Sequence, residues 1–154
     1  MTLAERLTPE RIIAEMQSEE HWPAIVELVD HLVETSALTT VQRDPALEAL
    51  KAREEHSSTG IGGGIAIPHA KLPHLEEIVM VFGRSTKGVD FCALDCAPVH
   101  YIVLFLVPEN QQGNHLKTLA AIAKTLNSAE TRKLLSASKD PAGIMEILTE
   151  RATS

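Results

Sequence analysis

The apolar run Tyr101-Ile-Val-Leu-Phe-Leu-Val107, closed by Pro108, constrains this chain more than any other feature. It is too short to be a membrane helix and too uniformly apolar for an exposed strand. A run of this kind bounded by turn residues is a fully buried strand. A second β-rich run covers Ile78 to Arg84. Helical patterns flank both. Over Ser18 to Val33, the residues Ile25, Leu28, Val29, Leu32 and Val33 recur at helical spacing. Pro23 is compatible with that helix only near its start. Asp44 and Pro45 read as cap and first residue of a second helix ending near Glu55 or His56, with Leu47 and Leu50 on its buried face. Asn114 reads as the cap of a third, running to about Leu126. Ser128 opens a short helix through Leu135, and Asp140-Pro141 opens the last, through Ile144, Ile147 and Leu148. Leu3 to Leu7 suggests a turn of helix, and Arg11 to Met16 fits strand or helix. Strands in the middle with helices on both sides predict an α/β sandwich.

The 154 residues suit one domain spanning 1–154. With 44% hydrophobic and 23% charged residues, disorder is not expected. A net charge of −7 argues against nucleic-acid binding, which needs Lys and Arg to neutralise phosphates, and suits a basic protein partner. No apolar stretch is long enough to span a bilayer, so no membrane insertion is expected. The charged, amphipathic N-terminus does not read as a secretory signal. Two cysteines, Cys92 and Cys96, do not make a disulfide framework, and a cytoplasmic location is expected.

The chemistry concentrates in one stretch. Gly60, Gly62, Gly63 and Gly64 are half of the chain's eight glycines. Together with Thr59 they form a candidate phosphate-binding loop, because glycine lets an anion approach backbone N–H groups closely. On the glycines alone, a tight turn without ligand is the better explanation. No Gly-Lys-Ser/Thr follows, so this is not a Walker loop, and the run precedes a strand-like Ile65-Ala66-Ile67, which argues against a dinucleotide fingerprint. Pro68 then delivers His69 in a fixed direction. Imidazole is a nucleophile near neutral pH, so His69 is the candidate reactive centre of a soluble phosphate-handling domain. His115 would sit in the first turn of the helix capped by Asn114, where free N–H groups favour anions. Arg53, near the end of the second helix, offers a guanidinium clamp for phosphoryl oxygens, or is simply solvated beside Glu54 and Glu55. His21, His31 and His56 read as surface residues, and His74 as a spectator near the site rim. Cys92, Cys96 and His100 fall short of a four-ligand zinc set, so no metal and no cofactor are expected.

With these residues in place, the chain resembles the enzyme IIA domains of the fructose/mannitol class (type 2) of the phosphoenolpyruvate-dependent sugar phosphotransferase system, including its nitrogen-regulatory branch. The matching stretches are Ala52-Arg53-Glu54-Glu55, Ser58-Thr59-Gly60-Ile61-Gly62, Gly64-Ile65-Ala66-Ile67-Pro68-His69-Ala70-Lys71, Leu94-Asp95 with Pro98-Val99, and Leu106-Val107-Pro108 with His115-Leu116 through Leu119. The resemblance covers about residues 3 to 150. It implies a three-layer α/β/α sandwich with a mixed central sheet. It also implies that His69 accepts a phosphoryl group through Nε2 from the phosphohistidine of an HPr-like carrier, with His115 as second active-site histidine and Arg53 as the arginine. Gly63 and His100 depart from the residues common at those positions, Asn or Glu and an acidic residue.

The implied reaction is phosphoryl transfer through a covalent phosphohistidine, with an EIIB cysteine as the next acceptor. A regulatory role, in which phosphorylation state controls binding to other proteins, is the alternative within the family; a chain without fused IIB or IIC segments fits either. A metal-dependent hydrolase built on His69, His74 and His115 is the alternative outside it, and the sequence lacks a carboxylate set with ligand spacing for it.

Overall fold

A computed structural model of the chain describes residues 3–56, 58–91, 95–110 and 113–152, without the side chains of Leu3, Ala4, Asn114 and His115. Cys92, and Leu94 of the matching motif, lie outside the described residues. Two 3-10 turns, Leu3–Arg6 and Pro9–Arg11, lead into β1 (Ile12–Ile13), α1 (His21–Glu34) and α2 (Thr40–His56). Four short or long strands follow: β2 (Gly60–Gly62), β3 (Ile65–Ala66), β4 (His69–Leu72) and β5 (Val79–Val89). After β6 (Val99–Pro108) come α3 (Asn114–Leu126), α4 (Ala129–Ala137) and α5 (Pro141–Arg151).

The sheet is mixed and runs β1-β5-β6-β3-β2, with β4 also paired to β6. β6 is its spine. It lies antiparallel to β5, with Met80 opposite Phe105, and parallel to β3 and β4. Alternation along β6 explains why the apolar run has no polar face. Ile102, Leu104 and Leu106 pack against Ile25, Leu28 and Leu32 of α1 and Ala46 and Leu50 of α2. Tyr101, Val103, Phe105 and Val107 pack against Ile122 and Leu126 of α3, Leu135 of α4, and Ile144 and Leu148 of α5. A strand buried on both faces between two helical layers is the three-layer α/β/α sandwich expected.

Several boundaries move. α2 begins at Thr40, so Pro45 lies inside the helix and not at its first position. The start is set by a reciprocal cap: Thr39 Oγ1 accepts from the Gln42 N–H at 3.2 Å, and Gln42 Oε1 accepts from the Thr39 N–H at 2.9 Å. Pro45 is tolerated because the carbonyl it leaves unpaired, that of Val41, sits on an exposed turn. α3 takes Gly113 as its cap, at φ 96°, and Asn114 is its first residue. Ser128 and Asp140 cap as predicted, accepting from the N–H of Thr131 and Gly143. Gly60–Gly62 is a strand paired antiparallel with β3, so the glycine run is a hairpin and its turn.

Candidate active site

His69 is the first residue of β4 and pairs with Phe105. Ala70 and Leu72 turn toward the α1–α2 layer, so His69 and Lys71 project to the opposite face by strand alternation. There the imidazole stacks on the Phe105 ring, with centroids 5.1 Å apart and planes 10° off parallel. Its Nδ1 is 2.8 Å from the Ile67 carbonyl oxygen. A carbonyl only accepts, so Nδ1 carries the proton and the lone pair is on Nε2. Pro68 fixes this corner: its ring sets φ, and its carbonyl accepts from the Phe105 N–H at 3.0 Å, which locks β4 in register.

The half-buried His69 faces a cleft of about 340 Å³ lined by Ala49, Arg53, Ala70, Lys71 and Val107. Arg53 reaches it because it continues the buried stripe of α2, seven residues after Ala46 and three after Leu50. The structure thus brings Arg53 and His69 together across 16 residues of sequence (69 − 53). Lys71 adds a second cation that the sequence reading did not single out; its signal was the i, i+2 spacing from His69 in a strand.

Arg53 is not embedded among solvated acids. Glu54 turns inward, its side chain only 6% exposed. Its carboxylate accepts from His21 Nε2 at 2.8 Å, from the Thr59 N–H at 3.2 Å and from the Thr59 hydroxyl. Burial pushes this carboxyl up, but the donors from His21 and Thr59 outweigh it, and the group is held below its ordinary value. His21 is therefore not the surface residue expected. It is half-buried, with its ring 4.1 Å from that of Phe91.

Two expectations for phosphate contact are corrected. Gly62, Gly63 and Gly64 all have positive φ and form the β2–β3 turn. The Gly64 carbonyl accepts from the N–H groups of His100 and Tyr101, at the start of β6. His69 sits beside Phe105, four to five residues further on, roughly 15 Å away at ~3.3 Å per residue. The turn's anionic neighbour is Asp95, whose Oδ2 accepts from the Gly63 N–H at 3.1 Å. Hydrogen bonds from Ala97 and Gly63 hold the Asp95 carboxyl below its ordinary value. Thr59 is buried, and both its N–H and its hydroxyl are committed to Glu54. Neither the turn nor Thr59 faces the His69 cleft.

The His115 side chain lies outside the described residues. Its backbone is in the first turn of α3, seven residues after the end of β6 (115 − 108), at the sheet end where Lys71 pairs with Val107. His74 lines a separate cleft with Arg11, Ser36 and Gln42, which removes it from a shared metal site with His69. His31 Nε2 binds the Glu10 carbonyl at 2.7 Å, His56 is exposed, and His100 Nδ1 binds the Ser85 carbonyl at 2.8 Å. Cys96 is a free, exposed thiol. Among the described residues no three His, Cys, Asp or Glu are grouped to hold a metal, and no helix is long and apolar enough to cross a membrane.

Comparison with known proteins joins this site to a family. Residues 5–151 match the family model described as phosphoenolpyruvate-dependent sugar phosphotransferase system, EIIA 2. The chain is 36% identical over 148 residues to a nitrogen regulatory protein of Bradyrhizobium diazoefficiens, covering 96% of this chain and 95% of that one. It is 35% identical over 150 residues to the fructose-specific EIIABC component of Bacillus subtilis, covering 97% of this chain and 23% of that longer protein. Among solved structures, nitrogen regulatory protein IIA-Ntr from Neisseria meningitidis superposes with a TM-score of 0.85 at 31% identity, covering 95% of this chain and 98% of that one. The mannitol enzyme IIA of Escherichia coli, solved in complex with phosphorylated enzyme IIB, shares the fold with a TM-score of 0.76 at 18% identity, covering 94% and 98%. The sandwich, the His69 corner and these relatives lead to one conclusion: the chain belongs to the type-2 enzyme IIA family of the phosphoenolpyruvate-dependent sugar phosphotransferase system.

Proposed function

We propose that this protein is a cytoplasmic phosphoryl carrier that accepts its group on Nε2 of His69 from the phosphohistidine of an HPr-like protein and passes it to a cysteine of an EIIB partner. The observation that carries the reading is the Nδ1–H hydrogen bond to the Ile67 carbonyl, which leaves the Nε2 lone pair on a ring at a cleft shared with Arg53. In the first step the donor's P–N bond breaks as the Nε2–P bond forms. The donor ring, protonated on its other nitrogen, leaves as neutral imidazole. His69 keeps its Nδ1 proton and becomes a phosphorylated imidazolium, and the Ile67 carbonyl, already facing that proton, binds more strongly as the ring gains charge. Arg53 disperses charge on the equatorial oxygens, and the free N–H groups at the start of α3 would add to it, with His115 as the family's second histidine. In the second step a thiolate attacks phosphorus and the neutral His69 ring is restored.

The test is to incubate the protein with phosphoenolpyruvate, enzyme I and HPr, and to map the acid-labile phosphate by mass spectrometry. His69→Ala is expected to take none, while Arg53→Ala accepts roughly 10²–10³-fold more slowly, the usual cost of one charge-stabilising donor. A phosphorylated His69→Ala protein would overturn the reading.

A second reading shares the first step. The nitrogen regulatory proteins of Bradyrhizobium diazoefficiens and Neisseria meningitidis match this chain over nearly their whole length, and the output would then be binding to regulatory targets according to the state of His69. Transfer from the phosphorylated protein to a purified EIIB separates the two: a phospho-His69 that no EIIB discharges favours regulation.

A further inference from the structure

We infer that the His21–Glu54 pair, half-buried at His21 and inward-turned at Glu54, is a positioning device for phosphoryl transfer at His69, acting through Thr59 and Ile67; the inference rests on the reading of His69 as phosphoryl acceptor. A continuous hydrogen-bonded path joins the two ends. His21 Nε2–H donates to Glu54 at 2.8 Å, and the Thr59 N–H donates to the same carboxylate oxygen at 3.2 Å. The Thr59 carbonyl accepts from the Ile67 N–H at 3.0 Å. The Ile67 carbonyl accepts from His69 Nδ1–H at 2.8 Å. One carboxylate therefore grips the residue that holds the carbonyl that sets the His69 tautomer. Glu54 is also the neighbour of Arg53 on the last turns of α2, so the same anchor fixes the cation across the cleft.

The pair has the physical properties an anchor needs. A carboxylate this buried is costly unless every lone pair is directed at a donor, so its geometry is narrowly determined. Held below its ordinary value, it remains an acceptor at neutral pH. His21 opens α1 and is itself pinned against Phe91, so the donor cannot wander. No group of the pair lines the His69 cleft, so neither residue touches the reacting atoms. If the anchor slackens, the Ile67 carbonyl is no longer fixed. The ring proton then redistributes between Nδ1 and Nε2, and a ring protonated on Nε2 alone has no lone pair there to attack with.

The test uses Glu54→Gln in the full chain, with two readouts. In ¹⁵N-histidine NMR of the unphosphorylated protein, wild-type His69 is expected as the Nδ1–H tautomer, and Glu54→Gln is expected to move part of the population to Nε2–H. In single-turnover acceptance from phospho-HPr, the saturating rate falls about 10- to 100-fold, the scale of a small misplacement of reacting groups. The HPr concentration at half-saturation is expected to stay as it was, because the substitution leaves the residues lining the His69 cleft in place. Should Glu54→Gln fail to fold, His21→Phe keeps the contact with Phe91, removes the N–H, and is expected to shift both readouts the same way by a smaller amount. A folded Glu54→Gln or His21→Phe protein with the wild-type tautomer and wild-type saturating rate overturns the inference. If wild-type His69 accepts no phosphate, the proposed function fails, while the tautomer spectra still decide the role of the pair.

Discussion

A single corner, Ile67-Pro68-His69, fixes the direction of one imidazole, with its Nδ1 2.8 Å from the Ile67 carbonyl oxygen. Proline supplies no N–H and one allowed φ, so the carbonyl before it and the ring after it are held in fixed relation. Lys71, two residues on and on the same face of β4, lines the same cleft as Arg53. A phosphohistidine brings about two negative charges, by analogy with other phosphorylated side chains, and two cations answer it better than one. Lys71→Met is expected to slow acceptance from phospho-HPr by about tenfold, less than Arg53→Ala because a flexible ammonium makes a weaker forked contact than a guanidinium. The loss should shrink as salt is raised, since an exposed charge is screened; a salt-independent loss would point to altered packing. Acid stability belongs to this scale too. Glu54 is held below its ordinary value of 4.5, so its contribution is fully present above that pH and is lost as pH falls through the lowered folded value. Glu54→Gln should therefore melt lower than wild type near pH 7, with the gap closing as pH falls below 4.5. A gap that stays constant from pH 7 to 3 would show that the carboxylate's charge is not what stabilises.

At the scale of elements, α2 carries Arg53 and has little apolar burial for its 17 residues, with Ala46 and Leu50 its buried ones. Its position depends on its two ends. The N-terminal end is closed by the Thr39–Gln42 capping box and the C-terminal end by Glu54. Thr39→Ala should cost about 1 kcal/mol of stability, as loss of a cap does, measured by urea titration. Transfer at His69 should be unchanged, because the C-terminal anchor remains; an equal loss of rate would mean that α2 pivots as a rigid rod. The capping box was readable as Thr-x-x-Gln, yet Asp44-Pro45 gave the more familiar start signal. Helix starts can carry two such signals, and the one chosen is that whose side chains reach the orphan N–H groups in the packed structure.

At the scale of the molecule, Arg84 ties the two helical layers' sheet to its surroundings. It is 8% exposed, its Nε donates to the Ala14 carbonyl at 2.8 Å, and its Nη1 donates to the carbonyls of Leu135, also at 2.8 Å, and Ser138. Arg84→Met removes the guanidinium donor from the carbonyls of Ala14 and Ser138, and one of two donors from that of Leu135, which keeps the Ser138 N–H; it should cost roughly 2–4 kcal/mol, given that a bond to a charged donor contributes about 1.5–3 kcal/mol. A melting temperature within a degree of wild type would show that water replaces the guanidinium. The sequence by itself determined the buried strand at Tyr101–Val107, the helical layers, the caps at Ser128 and Asp140, and His69 as the candidate reactive residue. Each of these rests on local periodicity, local capping chemistry or a contiguous motif, so nearby residues suffice to specify it. Only the tertiary structure decided that Arg53 and His69 line one cleft, that Glu54 turns inward onto His21, and that the glycine turn sits about five β6 residues away from the ring. Those outcomes depend on strand register, and register is set by which side chains fill both faces of β6 at once, a condition that no segment read alone contains.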